Sequence, residues 1–178
     1  MTLPLPTFPT LFKLGNAKPP FGACPDGGFI IFAAMETEDI YLSVHLPQHN
    51  RTVVLEGDGF SLWVYLLNEE QEGVEFSGLV CSLGKISTDM EEVQRFAKEG
   101  NQPPLHQDYA TELAIQEGLD QEGIRVEELD DNLIVIYLDD EPFVKIDPEN
   151  KLVYSKALKE AGPYGHPFES MPTSDNEA

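Results

Sequence analysis

Residues 60–67 read Phe60-Ser61-Leu62-Trp63-Val64-Tyr65-Leu66-Leu67 and are apolar on both faces of an extended chain. A strand buried on both sides belongs in the middle of a sheet. Gly57-Asp58-Gly59 stands just before it as a tight turn tolerant of positive φ. Upstream, Ile40, Leu42, Val44 and Leu46 alternate with Tyr41, Ser43 and His45, a period of two that predicts a half-buried strand. A short strand over 28–34 and another over 52–56 complete the upstream side, and a fifth strand over 74–83 follows, with Gly78 as its expected bulge.

Beyond residue 83 the period changes. Thr88 and Glu91 have the spacing of a capping box, in which each side chain satisfies the other residue's free amide. Met90, Val93 and Ala97 then share a helical face with Phe96, Glu91 and Arg95 stand four apart, and Gly100 supplies a stop. A second helix is expected after Asp108, with Ala110, Leu113 and Ala114 on its apolar side and an end at Gly118 or Gly123. Strands return over 124–129, 132–138, 142–146 and 152–154, followed by a short helix over 155–160. Leu62, Val64, Leu133, Val135 and Tyr137, with Phe60, are the expected core of the central strands. Strands and helices do not alternate singly, which argues against a doubly wound parallel sheet. The expected fold class is α+β: a mainly antiparallel sheet with an inserted helical hairpin.

The domain organisation follows from composition. Residues 1–27 hold Pro4, Pro6, Pro9, Pro19, Pro20 and Pro25 and read as an irregular arm, too apolar at Phe8, Leu11, Phe12, Leu14 and Phe21 for a solvated tail. Residues 28–161 form one domain, and 162–178 read as a flexible tail. The 178-residue chain is 41% hydrophobic and 24% charged, ordinary values for a globular domain.

Charge is the strongest signal. The chain carries 32 acids against 11 bases, a net charge of −21. Residues 68–149 alone hold 22 of the acids and 5 of the bases. Such a surface repels nucleic-acid phosphates and anionic lipid, so direct binding to nucleic acid or a membrane is not expected. The excess is well beyond the net magnitude of about 2–8 that keeps a small domain soluble. A negative surface that speeds encounter with a basic partner and rejects others accounts for it. The candidate partner-binding residues are Glu69, Glu70 and Glu72 in one turn, Glu127, Glu128, Asp130 and Asp131 at one end of the 133–138 run, and Asp139, Asp140 and Glu141 at its other end.

Chemistry is thinly represented. No phosphate-binding loop or serine nucleophile elbow is present. His45 and His49 are four apart, but they straddle a strand end and a proline turn, where imidazoles do not converge on a metal as they would on a helix. Asp139, Asp140 and Glu141 lack calcium-loop spacing. His106 and Asp108 resemble a base with its orienting acid, although Asp108 also reads as a helix cap. No catalytic residue, metal or cofactor is assigned. The expected function is that of a cytoplasmic, non-enzymatic binding or inhibitor protein that occludes a basic protein partner, of the bacterial toxin-immunity kind. A small carboxylate-dependent hydrolase and a structural or adaptor domain of a larger assembly are the alternatives. Cys24 and Cys81 show no disulfide framework, so thiol titration of the denatured, unreduced protein is expected to count both; a count of zero would show that they are paired.

Overall fold

The computed structural model describes residues 40–48, 50–70, 73–129 and 132–171. The expected strand over 28–34, the proline-rich arm and Cys24 lie outside them. The described chain forms two sheets. The first contains β1 (Tyr41–Leu46), β2 (Arg51–Gly57), β3 (Ser61–Leu67) and β4 (Val74–Ser82), in that spatial order and wholly antiparallel. The second contains β5 (Ile124–Glu128), β6 (Ile134–Leu138), β7 (Glu141–Asp147), β8 (Leu152–Ser155) and the short β9 (His166–Pro167), antiparallel except for the parallel β8–β9 pair. One helix, α1 (Met90–Lys98), lies between the sheets in sequence.

The expected helical hairpin is therefore absent, and the α+β class is corrected to a mainly β fold with one short α-helix among the described residues. The second helix fails to form because its backbone groups find distant partners. Thr111 N–H donates to Ala157 C=O (2.9 Å), Ser82 N–H to Ala114 C=O (2.7 Å), Gln116 N–H to Ser82 C=O (2.8 Å) and Lys159 N–H to Tyr109 C=O (2.9 Å). The segment thus bridges β4 and the chain after β8 through isolated bridges at Ala110 and Ile115 joined by turns. Its apolar residues diverge accordingly: Ala114 is fully buried while Leu113 is 54% exposed. The helix expected over 155–160 is likewise a turn, with Lys156 N–H bonded to Phe143 C=O (3.0 Å).

The first helix forms, one residue later than the capping box implies. Asp89 is its N-cap, and its carboxylate accepts the Glu91 N–H at 2.9 Å. Ser87 Oγ donates to Glu92 Oε2 (2.7 Å) and accepts the Asp89 N–H (3.1 Å). At the other end Gly100 takes φ +78 while its own N–H reaches Ala97 C=O and that of Asn101 reaches Phe96 C=O. This paired closure satisfies carbonyls that the helix leaves open.

The two sheets share one hydrophobic cluster. Leu62, Val64 and Leu66 of β3 and Ile134, Ile136 and Leu138 of β6 are buried in it. The expected core shifts by one position at two places. Phe60 is 51% exposed because it still belongs to the turn, where Asp58 Oδ1 accepts the N–H groups of Phe60 and Ser61 and Gly59 takes φ +82. Leu133 and Tyr137 are only half-buried, while Val135 is buried as expected.

Gly78 has a different role from the bulge expected there. The register shifts in the β3–β4 pairing fall at Leu62/Trp63 and Leu66/Leu67, which leaves Val80 and Glu75 without opposite partners in β3. At Gly78 the second sheet comes too close for a side chain: a Cβ there would stand 2.5 Å from Val153 Cβ. Ser155 Oγ seals the same seam by donating to Val80 C=O at 2.7 Å. Residues 162–171, read from sequence as part of the tail, here fold back, and Leu79 N–H donates to Tyr164 C=O at 2.8 Å. Residues 172–178 lie outside the described chain.

Ile136 is fully buried on β6, an interior strand of the second sheet. Ile136→Ala is expected to destabilise the protein by about 2–5 kcal/mol through lost transfer energy and the cavity left behind. An unchanged denaturant midpoint would contradict that placement.

Candidate partner-binding surface

Hairpin connectivity sorts the acidic turns between two ends of the molecule. Antiparallel pairing puts the β1–β2 and β3–β4 turns at one end of the first sheet. In the second sheet the β5–β6 and β7–β8 turns share an end, and the β6–β7 turn lies opposite. Two cross-sheet contacts align them. Lys151, in the β7–β8 turn, places Nζ 3.0 Å from Glu75 Oε1 at the start of β4. Glu128 Oε2, at the end of β5, accepts the Gln48 N–H of the β1–β2 turn at 3.2 Å. All four turns therefore converge at one end.

That end gathers Glu69, Glu70 and Glu128, with Asp147 and Glu149 beside them in the β7–β8 connection. Glu72, Asp130 and Asp131 belong to the same turns in sequence but lie outside the described residues. Asp139, Asp140 and Glu141 sit at the opposite end. There Asp139 (φ +48) and Asp140 (φ +66) form the two-residue hairpin turn, and aspartate tolerates the left-handed backbone that this turn requires. Local conformation thus accounts for those two acids without a partner. Glu127 lies along β5 between the two ends.

Internal cations already take up part of the charge. Arg51 pairs closely with Glu75, which is only 17% exposed, and its other terminal nitrogen is 3.7 Å from Glu69 Oε1. With Lys151 these side chains form a clasp between the sheets. Arg125 pairs with Glu127, stands 3.8 Å from Asp140, and lies over the Tyr137 ring at 3.9 Å. Glu70 and Glu141 are exposed, and Glu69 is 73% exposed. Sequence reading missed the Arg51–Glu75–Lys151 clasp. Its members come from three separate hairpins, and nothing in their spacing reveals the contact.

The structure does bring His106 and Asp108 together. His106 Nδ1 accepts the Asp108 N–H (3.3 Å) and stands 3.5 Å from its Oδ2. His106 is buried, however, and its backbone is committed to packing: Tyr164 Oη accepts the His106 N–H (3.2 Å) and donates to Pro104 C=O (2.8 Å). Tyr164 in turn packs edge-on against Tyr109 and beside Trp63. Ser87 Oγ, nearby in sequence to α1, bonds Glu92 and the Asp89 carbonyl rather than His106. The pair is part of a structural knot around Tyr164. A cleft bounded by Phe60, Lys85, Phe96 and Pro104 holds about 50 Å³, far less than the ~300–1,000 Å³ of sites that enclose small molecules. Among the described residues no group of three or more His, Cys, Asp or Glu side chains could hold a metal ion. His45 Nδ1 lies 3.4 Å from Thr52 Oγ1 across the β1–β2 pair, and His49 lies outside the described residues. Cys81 is a free, fully buried thiol, pushed up to about 12 by burial.

No family model, no curated protein and no solved structure matches this chain. No helix among the described residues is long and apolar enough to cross a membrane.

Burial holds the Tyr65, Tyr154 and Tyr164 hydroxyls above the ordinary tyrosine value; nearby Glu56 and Asp58 add to this at Tyr65, and Asp147 at Tyr154. A pKa raised in the folded state means that folding favours the protonated phenol. That contribution is fully present below the unfolded tyrosine value of about 10 and is lost as pH rises above it. In an alkaline titration, part of the phenolate absorbance is expected to appear only together with loss of circular dichroism. Complete ionisation of all six tyrosines in folded protein would contradict the burial of these rings.

Proposed function

We propose that this protein is a non-enzymatic, acidic binding protein that occludes a basic protein partner, as cytoplasmic immunity proteins occlude bacterial toxins. The observation that carries this reading is the convergence of the β1–β2, β3–β4, β5–β6 and β7–β8 turns, which gathers Glu69, Glu70, Glu128 and Glu149 at one end. Arg51 and Lys151 are the cations described there; both are turned onto Glu75, and Arg51 also stands 3.7 Å from Glu69 Oε1. The field left over points outward. It would raise the association rate of a basic partner and disfavour acidic ones. The same field disfavours nucleic acid and anionic membranes as ligands. A cytoplasmic setting suits the free thiol of Cys81.

The test uses the partner recovered on the immobilised protein and compares two variants. Reversal of Glu69, Glu70 and Glu128 to lysine is expected to cut affinity about tenfold or more, chiefly through a slower on-rate, because charge reversal weakens, and added salt shortens, a field that reaches only about 8 Å at physiological ionic strength. Reversal of Asp140 and Glu141 at the opposite end is expected to change it little. Equal losses from the two variants, or an on-rate indifferent to salt, would overturn the assignment of the binding end.

A further inference from the structure

Sheet edges offer unpaired backbone groups to any extended chain, and folded proteins cover or guard them. Two of this molecule's edges are covered from within. β4 is sealed on its outer side by the bonds to Tyr164, Ala114 and Gln116. β8 carries β9. Among the described residues, β1, β5 and the two-residue β9 pair on one side only, and of these β1 and β5 are long enough to take a further strand.

The direction of the open groups on β5 can be read from the hairpin. Asp139 N–H donates to Gly123 C=O (2.9 Å) and Leu129 N–H to Leu133 C=O (2.8 Å). In an antiparallel ladder, hydrogen-bonded residues alternate along the strand. Gly123, Arg125, Glu127 and Leu129 therefore face β6, and the N–H and C=O of Val126 point away from the sheet. The Val126 side chain packs against the core, so a strand added at this edge need not disturb it.

Charge separates the two edges. β1 reads Tyr41-Leu42-Ser43-Val44-His45-Leu46 and carries no acid. Residues 120–128 carry Asp120, Glu122, Glu127 and Glu128 against Arg125, which is already paired with Glu127 and stacked on Tyr137. A second copy of this acidic edge would be repelled, whereas a basic strand would be attracted. We infer that β5 is the docking edge for an extended, basic segment of a partner protein, which adds to the second sheet as a further strand through Val126. This rests on the proposed acidic binding function and specifies its geometry: backbone bonds at Val126 supply affinity, and the flanking carboxylates select for alternating basic side chains.

Amide exchange of the full chain, followed by NMR, tests the inference with two synthetic probes of equal charge. One peptide alternates lysine and valine; in the other, prolines replace the valines. The alternating peptide is expected to slow exchange at the Val126 amide by about tenfold or more while leaving Ser43 on β1 unchanged. Val126→Pro, which removes the outward N–H, is expected to abolish binding of the alternating peptide with the fold retained by circular dichroism. Salt-sensitive binding of both peptides without protection at Val126 would overturn the strand-addition mode and leave the acidic binding reading standing. No binding of either peptide would overturn both. Protection of Val126 on raising the concentration of the protein alone would show a self-pairing edge and overturn the assignment to a basic partner.

Discussion

Gly78 lets β4 settle onto β8, and the arrangement of both sheets follows from that approach. Any side chain at this position would collide with Val153. With the clash removed, Ser155 Oγ reaches Val80 C=O, and Tyr164 C=O receives the Leu79 N–H. Each bond satisfies a backbone group that burial would otherwise leave costly, by about 1–3 kcal/mol for an unpaired polar atom. The seam also explains why 109–116 is not helical. That segment completes the outer edge of β4, and bonds to Ser82, Ala157 and Lys159, together with short i→i+3 turns, replace the ladder of a helix.

Once the seam joins the sheets, hairpin connectivity decides where the charge falls. Four turns arrive at one end, and two of them, β3–β4 and β5–β6, are acidic in sequence. Like charges brought together repel, and the Arg51–Glu75–Lys151 clasp offsets part of that cost where the sheets meet. The clasp neutralises the half-buried Glu75 carboxylate, while Glu69 and Glu70 remain exposed. A protein retains such an uncompensated surface at some expense in stability, and a basic partner that cancels the repulsion gives it a use. The acids at the opposite end have a more local cause in the left-handed backbone of Asp139 and Asp140.

Most strands were legible in the sequence because their signal is local. Period-two alternation marked β1, and the two-sided apolar run marked β3. The turn before β3 was legible for the same reason, through Gly57-Asp58-Gly59. The second helix was misread because Ala110, Leu113 and Ala114 satisfy a helical period that their distant hydrogen-bond partners override. Gly78 read as a bulge, since a strand glycine has two common causes and only the position of Val153 separates them. For the candidate surface, the identity of the acids was plain, whereas their division between two ends was not. That division depends on which hairpins share a side, and on contacts such as Gln48 with Glu128 that lie far apart along the chain.

The claim that the converging turns carry the stronger outward negative potential can be measured without a partner. Soluble cationic and anionic nitroxides of the same size report the local potential through the difference in the relaxation they cause at each backbone amide. The expected result is the largest cationic excess at the amides of Glu69, Glu70, Glu128 and Glu149, with a clearly smaller one around Asp58 and Gly59 in the β2–β3 turn. An excess spread evenly over both ends would contradict the convergence of acidic turns as the organising feature of this surface.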